Sequence, residues 1–244
     1  MKPSGYLLHS GTVKGKRFVS IATLETDNAK TGNMVQIWFL LVDINPVEAV
    51  ATGLDAASVC LGCPFAAGRG CYVNVGQAPL SVWRSFHRGN YPTLEPKDYA
   101  EVFSGRKVRF GAYGNPTLLP LAKVQAIAAH SQGWTGYFHD WRTNPQALEY
   151  GRYFMASTET QSSFKQAISA GFRVFHVSPD KPDGLIECLS DAKGLQCAEC
   201  KLCDGRFRNG GQAFRPAPER QLPSIWINPH GSKSAKASAV AMAN

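Results

Sequence analysis

From Arg106 onward the chain alternates short apolar stretches with amphipathic ones, and this constrains the fold more than any other feature of its 244 residues. Lys107 to Ala112 reads as a strand with Val108 and Phe110 alternating, followed by the turn GAYGNP and a helix from Leu121 to Ser131 that Gly133 stops. Trp134 to Phe138 reads as a second strand and Arg152 to Ala156 as a third. Thr160 to Ala170 is a helix with Phe164, Ala167 and Ile168 on one face, closed by Gly171, and Phe172 to Val177 is a fourth strand. Strand, helix and strand repeated through short loops pair in parallel by right-handed crossovers, so the chain is expected to be an α/β protein.

The flanking segments fit around that core. Arg17 to Leu24 and Met34 to Val42 are strand-like stretches that pair as a hairpin or flank a sheet. Pro79 to Arg88 and Pro96 to Ser104 read as helices, each with a proline near its start and a glycine after its end. Neither a repeat nor a Pro, Gly and Ser-rich linker divides the chain, so a single α/β domain is expected over 1–230. It comprises N-terminal strands and a cysteine loop (1–105), a β/α core (106–183) and a C-terminal cysteine region (184–230). GSKSAKASAVAMAN, 231–244, reads as a flexible tail. A hydrophobic content of 44% supplies a full core and excludes disorder for the bulk. The longest apolar run, Met34 to Val42, is about half of the ~20 residues a bilayer helix requires. MKPSGYLLHSGTVKGKRF has no signal-peptide apolar core, so a cytoplasmic protein is expected, without membrane association.

The seven cysteines fall into two groups, Cys60, Cys63 and Cys71 in CLGCPFAAGRGCYV, and Cys188, Cys197, Cys200 and Cys203 in CLSDAKGLQCAECKLC. In a reducing compartment, thiols at such short spacing point to metal binding or catalysis rather than disulfides. A CxxC pair brings two thiolates to one metal from a turn, and Cys71 follows in a Gly-rich loop able to fold back onto them. That leaves a tetrahedral site one ligand short. Zinc would recruit His87 or His9, whereas a four-iron cluster uses the vacant corner to bind a substrate or cofactor. The second group closes a four-sulfur site on its own, for zinc or an iron–sulfur cluster, and its compact CxxCxxC run favours a cluster.

Ligands of parallel sheets sit beyond the carboxyl ends of the strands. There the sequence places Gly111, Gly114, Asn115 and Pro116, then His139, Asp140 and Arg142, then Ser157, Thr158 and Glu159, then His176 and Ser178. Ser157, Thr158 and Thr160 equally suit the cap of the following helix.

A three-cysteine loop after an early strand, the turn GAYGNP, continuing β/α units and a C-terminal cysteine cluster together resemble the radical S-adenosylmethionine (radical SAM) enzymes with an auxiliary cluster. CPFAAGRGCYVNVGQAPLSVW is also similar to proteins of phages and mobile elements that share a CxxCP…CYV block. The resemblance implies a partial TIM-like (β/α) barrel of parallel strands with cysteine-rich metal-binding loops. Cys60, Cys63 and Cys71 would hold a [4Fe–4S] cluster whose open iron chelates the methionine group of S-adenosylmethionine. Gly111, Gly114, Asn115 and Pro116 would lie against that methionine, and Ser157, Thr158 and Glu159 near the ribose. The spacing here is CxxC with Cys71 seven residues on, against the family's CxxxCxxC, and Asn115 stands where the family carries a glutamate.

The expectation is an enzyme in which His139, Arg142 and His176 bind substrate or handle protons. A net charge of +8, with Lys201, Arg206, Arg208, Arg215 and Arg220 against Asp204 and Glu219 after the second group, suits a nucleotide or nucleic-acid substrate. The alternative is a non-enzymatic, zinc-stapled nucleic-acid-binding protein in which Trp83, Arg84, Phe86, His87 and Arg88 supply stacking and phosphate contacts. A hydrolase or nuclease using Asp140, His139 and Glu159 around a hard metal ranks last, because no paired HxH or DxD spacing supports it.

Overall fold

The computed structural model describes residues 3–205, 223–230 and 234–242. Strands β1 (Gly5–Val13), β2 (Lys16–Thr23) and β3 (Val35–Leu41) are followed by helices α1 (Pro46–Thr52), α2 (Leu54–Ala57), α3 (Ala78–His87) and α4 (Tyr99–Phe103). The alternating part holds β4 (Lys107–Tyr113), α5 (Leu121–His130), β5 (Gly133–Thr135), β6 (Tyr137–Phe138), α6 (Ala147–Tyr150), β7 (Met155–Thr158), α7 (Gln161–Ser169) and β8 (Val174–Val177). Then come β9 (Ile186–Glu187), α8 (Leu189–Lys193), α9 (Cys197–Cys200), β10 (Ile225–Ile227) and α10 (Ser234–Met242).

The strands form two five-stranded sheets, ordered β1-β2-β3-β4-β5 and β6-β7-β8-β10-β9. β1, β2 and β3 are antiparallel neighbours, whereas β3, β4 and β5 run parallel. The second sheet is parallel throughout. The stretch from Gly133 to Phe138 belongs to both sheets: its first half pairs with β4 and its second half with β7. The sheets therefore meet at Gly136, whose N–H donates to the Cys203 carbonyl at 2.8 Å. Among the described residues the strands do not close into a barrel.

Residues of β3 are buried along its whole length, as expected of a strand covered on both faces. Val108 and Phe110 of β4 pack in the main core with Val124 and Ile127 of α5. A smaller cluster of Met155, Phe175, Ile225 and Ile227 lies on the opposite face of the second sheet, and Cys188, Leu202 and Cys203 pack against it. Because side chains alternate along a strand, Ala156, Val174 and His176 face the helices instead.

Three expectations need correction. Arg152 to Phe154 are not strand but a turn continuing α6, with Phe154 N–H bonded to the Tyr150 carbonyl at 2.9 Å, so the third parallel strand begins at Met155. Ser157 and Thr158 consequently lie inside β7, at 2% and 0% exposure, rather than beyond it. Ser234 to Met242 are helical where a flexible tail was expected: Ala237 and Ala241 are buried, and a Cβ on Gly70 would stand 2.7 Å from the Ala237 Cα. That close approach of two small residues seats α10 on the first cysteine loop.

Candidate functional site

The first cysteine group is shaped by a loop that turns back on itself repeatedly. Cys60 N–H bonds to the Asp55 carbonyl at 2.8 Å, Cys63 N–H to the Cys60 carbonyl at 3.0 Å, and Cys71 N–H to the Phe65 carbonyl at 2.9 Å. Leu61 and Ala67 take positive φ here, and Lys201 does so in the second group, leaving only Lys14 elsewhere among the described non-glycine residues. Such conformations cost of order 1 kcal/mol or more each and tend to gather where function requires a shape. Asn115 N–H donates to the Val59 carbonyl at 2.7 Å, which seats the loop at the carboxyl end of β4. Gly114 makes this approach possible: at φ 80° it lies so close to β3 that a Cβ would stand 2.6 Å from that of Phe39.

Cys60 is buried and its Sγ lies 3.9 Å from Asp55 Oδ2. Burial pushes the Cys60 thiol well above its ordinary pKa, and Cys63, Asp55 and Cys71 add to the rise as neighbouring negative charges. Burial likewise raises Cys63, with Cys71 adding to it and the backbone N–H groups of Phe65 and Ala66 opposing; Glu159 is a further anionic neighbour. Each of the three thiols thus lies within the electrostatic range of the other two. Cys60 and Cys63 are thus protonated near neutral pH, and metal loading would release protons from them. Among the described residues no three His, Cys, Asp or Glu side chains converge closely enough to hold one metal ion.

Beside this loop, the expected rim residues divide by role. Asn115 is 1% exposed: its side-chain oxygen caps Thr117 N–H at 3.2 Å, and its amide donates to Asp140 Oδ1 at 3.0 Å. Asp140 Oδ2 accepts from Thr117 Oγ1 at 2.9 Å and Asn144 Nδ2 at 2.8 Å. The two residues pin the Gly-rich turn to the end of β6. Gly111 lies within β4, where the pairing with β3 slips between Phe110 and Tyr113, and Pro116 opens a single 3-10 turn. This bulge brings the Tyr113 hydroxyl beside Asp55.

Of the three proposed catalytic residues, none joins another. His176, 2% exposed, bonds Thr158 Oγ1 through Nδ1 at 2.8 Å and packs on Phe164 of α7, on the helix side of the sheet. Burial lowers its pKa to about 4. Arg142 is exposed, stacks over Trp141 at 3.9 Å and donates to Gln166 Oε1 at 3.1 Å. His139 has no partner for its buried Nδ1, and burial lowers its pKa to about 4. Glu159 stands beyond β7 and interacts with Cys63, its pKa raised by burial and lowered by Arg142. Thr160, as expected, caps α7, in a reciprocal pair with Ser163.

The second group gathers around the junction of the two sheets. Cys188 N–H bonds to the Trp226 carbonyl at 2.8 Å, and Cys197 N–H to the Lys30 carbonyl at 3.1 Å, just ahead of β3. Cys203 is held at Gly136, where β6 begins. Burial raises Cys197, Cys200 and Cys203, and all six pairs among the four thiols are close enough to interact electrostatically. Arg173, 1% exposed, fixes the segment by donating to Asp204 Oδ1 at 2.8 Å and to the Leu202 and Pro223 carbonyls at 2.7 Å each.

Between the groups lies a constellation that sequence reading misses. Arg109 of β4 donates to the hydroxyls of Tyr72, the neighbour of Cys71, and Tyr137, at 3.2 Å for the latter; the two hydroxyls are 2.6 Å apart. Burial opposes its charge, but Tyr72, Tyr137, Cys197 and Cys203 around it raise its pKa, so Arg109 is a fixed cation. The available signal was its position, alternating with Val108 and Phe110 and thus on the face opposite the main core.

The histidines considered as zinc ligands are engaged elsewhere. His9 packs edge-on against Phe18, while His87 lies against Trp83 and bonds the Val42 carbonyl at 3.0 Å. Trp83 donates to the Leu41 carbonyl and packs with Phe86 against the core, leaving Arg84, His87 and Arg88 exposed. Lys201 and Asp204 are described, whereas Arg206, Arg208, Arg215, Glu219 and Arg220 lie outside the described residues. No helix among the described residues is long and apolar enough to cross a membrane. Comparison with protein-family models, curated proteins and solved structures returns no match to this chain.

Proposed function

We propose that the protein is an iron–sulfur enzyme of the radical SAM type, with the first cysteine group holding the catalytic cluster and the second an auxiliary one. The observation that carries this reading is the gathering of thiols: every pair within Cys60, Cys63 and Cys71, and every pair among the other four, lies within electrostatic range. The donor type suits iron, for which thiolates are the usual protein ligands, although no three of these side chains converge on one point among the described residues. The succession β3, β4, β5 with β6, β7 and β8, each parallel to the next, supports an open, TIM-like arrangement with the first group at its carboxyl edge.

When bound, such a cluster supplies the electron for reductive cleavage of S-adenosylmethionine. The chain's own residues position and shield. Asn115 and Asp140 fix the Gly-rich turn rather than offering open polar groups, and Glu159 is the rim carboxylate nearest Cys63 able to receive a cationic part of the cofactor. α10 packs directly against the loop at Gly70. The net charge of +8 suits a nucleotide or nucleic-acid substrate.

Anaerobic purification with iron and sulfide tests the reading. A brown protein whose cleavage of S-adenosylmethionine disappears in Cys60→Ala is expected. Colourless protein that binds zinc alone, or cleavage that survives Cys60→Ala, refutes it.

A further inference from the structure

Of the cations near the second cysteine group, Lys30 and Arg173 have carboxylate partners, Asp191 and Asp204, each at 2.8 Å. Arg109 has none within ion-pair distance among the described residues. Its Nη2 donates to the Tyr72 and Tyr137 hydroxyls, whereas Nε and Nη1 donate to no atom of the described residues. Neither of these nitrogens is among the buried polar atoms without a partner, so both remain reachable. The two phenolic oxygens are 2.6 Å apart, so one hydroxyl donates to the other and the second keeps its hydrogen free. The cluster thus has hydrogens left to give, from the guanidinium and from one phenol, around a charge with no counterion. Half-burying such a guanidinium is costly, because its lost hydration is not recovered from the protein. An oxyanion is the partner this chemistry lacks. The hydroxyls are also held ready for one: the Tyr137 ring stacks on Phe175 at 4.5 Å and the Tyr72 ring on His230 at 5.7 Å.

We propose that Arg109, Tyr72 and Tyr137 bind the phosphate of a mononucleotide. A phosphate offers more acceptor oxygens than a carboxylate to a cluster with several donors to spare, and a guanidinium matches its geometry. Tyr72, 47% exposed, gives a base an aromatic surface beside that phosphate. The donors stand on half-buried β4 behind two tyrosines, a place that a terminal phosphate reaches more readily than the backbone of a strand. The choice of a nucleotide rests on the proposed function and narrows its substrate class, whereas the anion site itself requires no metal.

The full chain is titrated with AMP, adenosine and inorganic phosphate by isothermal calorimetry, and iron is measured in the same anaerobic preparation. AMP is expected to bind more than about tenfold tighter than adenosine or phosphate, and Arg109→Met to lose the margin over adenosine. Arg109→Lys, which keeps the charge without the fork, is expected to recover part of it, a rescue that a merely structural arginine would not show. AMP bound no tighter than adenosine, or bound equally by Arg109→Met, overturns the proposal. Phosphate bound as tightly as AMP overturns the nucleotide, and tighter binding of an oligonucleotide without a terminal phosphate overturns the mononucleotide in favour of a strand. If Arg109→Met fails to fold, Tyr72→Phe takes its place: it keeps the exposed ring and removes one hydroxyl, and an AMP affinity equal to wild type counts against the proposal. A chain that binds AMP but takes up no iron refutes the cluster assignment alone, and one that takes up iron but ignores AMP refutes this site alone.

Discussion

The first cysteine group sits at the carboxyl end of β4 and the second around the junction of the two sheets, and they differ in the charge around them. Near the first group stand Asp55 and Glu159, both acidic. Near the second stand Arg109, Lys30 and Arg173, all cations. The charges closest to the first group are thus acidic, whereas those closest to the second are cations, two of them paired with Asp191 and Asp204. Reduction adds an electron, so a centre beside fixed positive charge is the easier to reduce. If both groups hold iron–sulfur clusters as proposed, the comparison predicts an order: the second centre takes up electrons first, and the first operates at lower potential.

The largest expected effect tests whether the two regions are separate. Arg173→Met removes the cation bonded to Asp204 Oδ1 and the donor to the Leu202 and Pro223 carbonyls, a change that should destabilise by about 3–5 kcal/mol in urea unfolding. Metal should be lost first from Cys188, Cys197, Cys200 and Cys203, with the iron dependent on Cys60 retained. Simultaneous loss of both would break the comparison, because it would mean that the two groups are one cooperative unit.

A smaller effect belongs to the sheet wall beside the first group. His176 has a folded pKa of about 4 against an ordinary value of 6.5. The unfolded chain therefore binds a proton between these values that the folded chain does not, and stability is fully present above pH 6.5 and lost as pH falls toward 4. By pH 5 the loss from His176 should be roughly 2 kcal/mol. His176→Asn, an amide able to keep a bond to Thr158, should lower the urea midpoint at pH 7 but flatten its decline on acidification. An unchanged slope would show that the acid sensitivity arises elsewhere.

How much of this was legible in the sequence depended on the range of the physical signal. The helices α5 and α7 and the strand β4 follow local rules of periodicity, capping and glycine stops, and appear where those rules place them. Ser157 and Thr158 were misplaced because Tyr153 and Phe154 carry strand-like side chains in what the backbone makes a turn. His176 looked like a rim residue because position along a strand is readable and the face it takes is not, until the neighbouring helix is known. The cysteine groups were visible as spacing. Arg109, Tyr72 and Tyr137 were not, since their contacts join residues 37 and 28 positions apart and leave no local pattern. Asp55 was equally silent, being one acidic residue in a short helix until its burial beside Cys60 is seen.

The smallest predicted effect sharpens the comparison most directly. Arg109 is held in place by Tyr72 and Tyr137, so its charge is fixed relative to Cys197 and Cys203. Arg109→Met keeps much of the apolar stem and removes the charge. The reduced, more negative state of the second centre would lose more stabilisation than the oxidised one, lowering its potential by on the order of 60 mV, a tenfold change for one electron. Arg109→Lys, which keeps the charge without the forked geometry, should recover most of the shift. The centre dependent on Cys60 is the internal control, and a redox titration followed by EPR reads both together. If Arg109→Met moved the two potentials equally, Arg109 would be acting through the shared interior, and the distinction between acidic and cationic surroundings would fail.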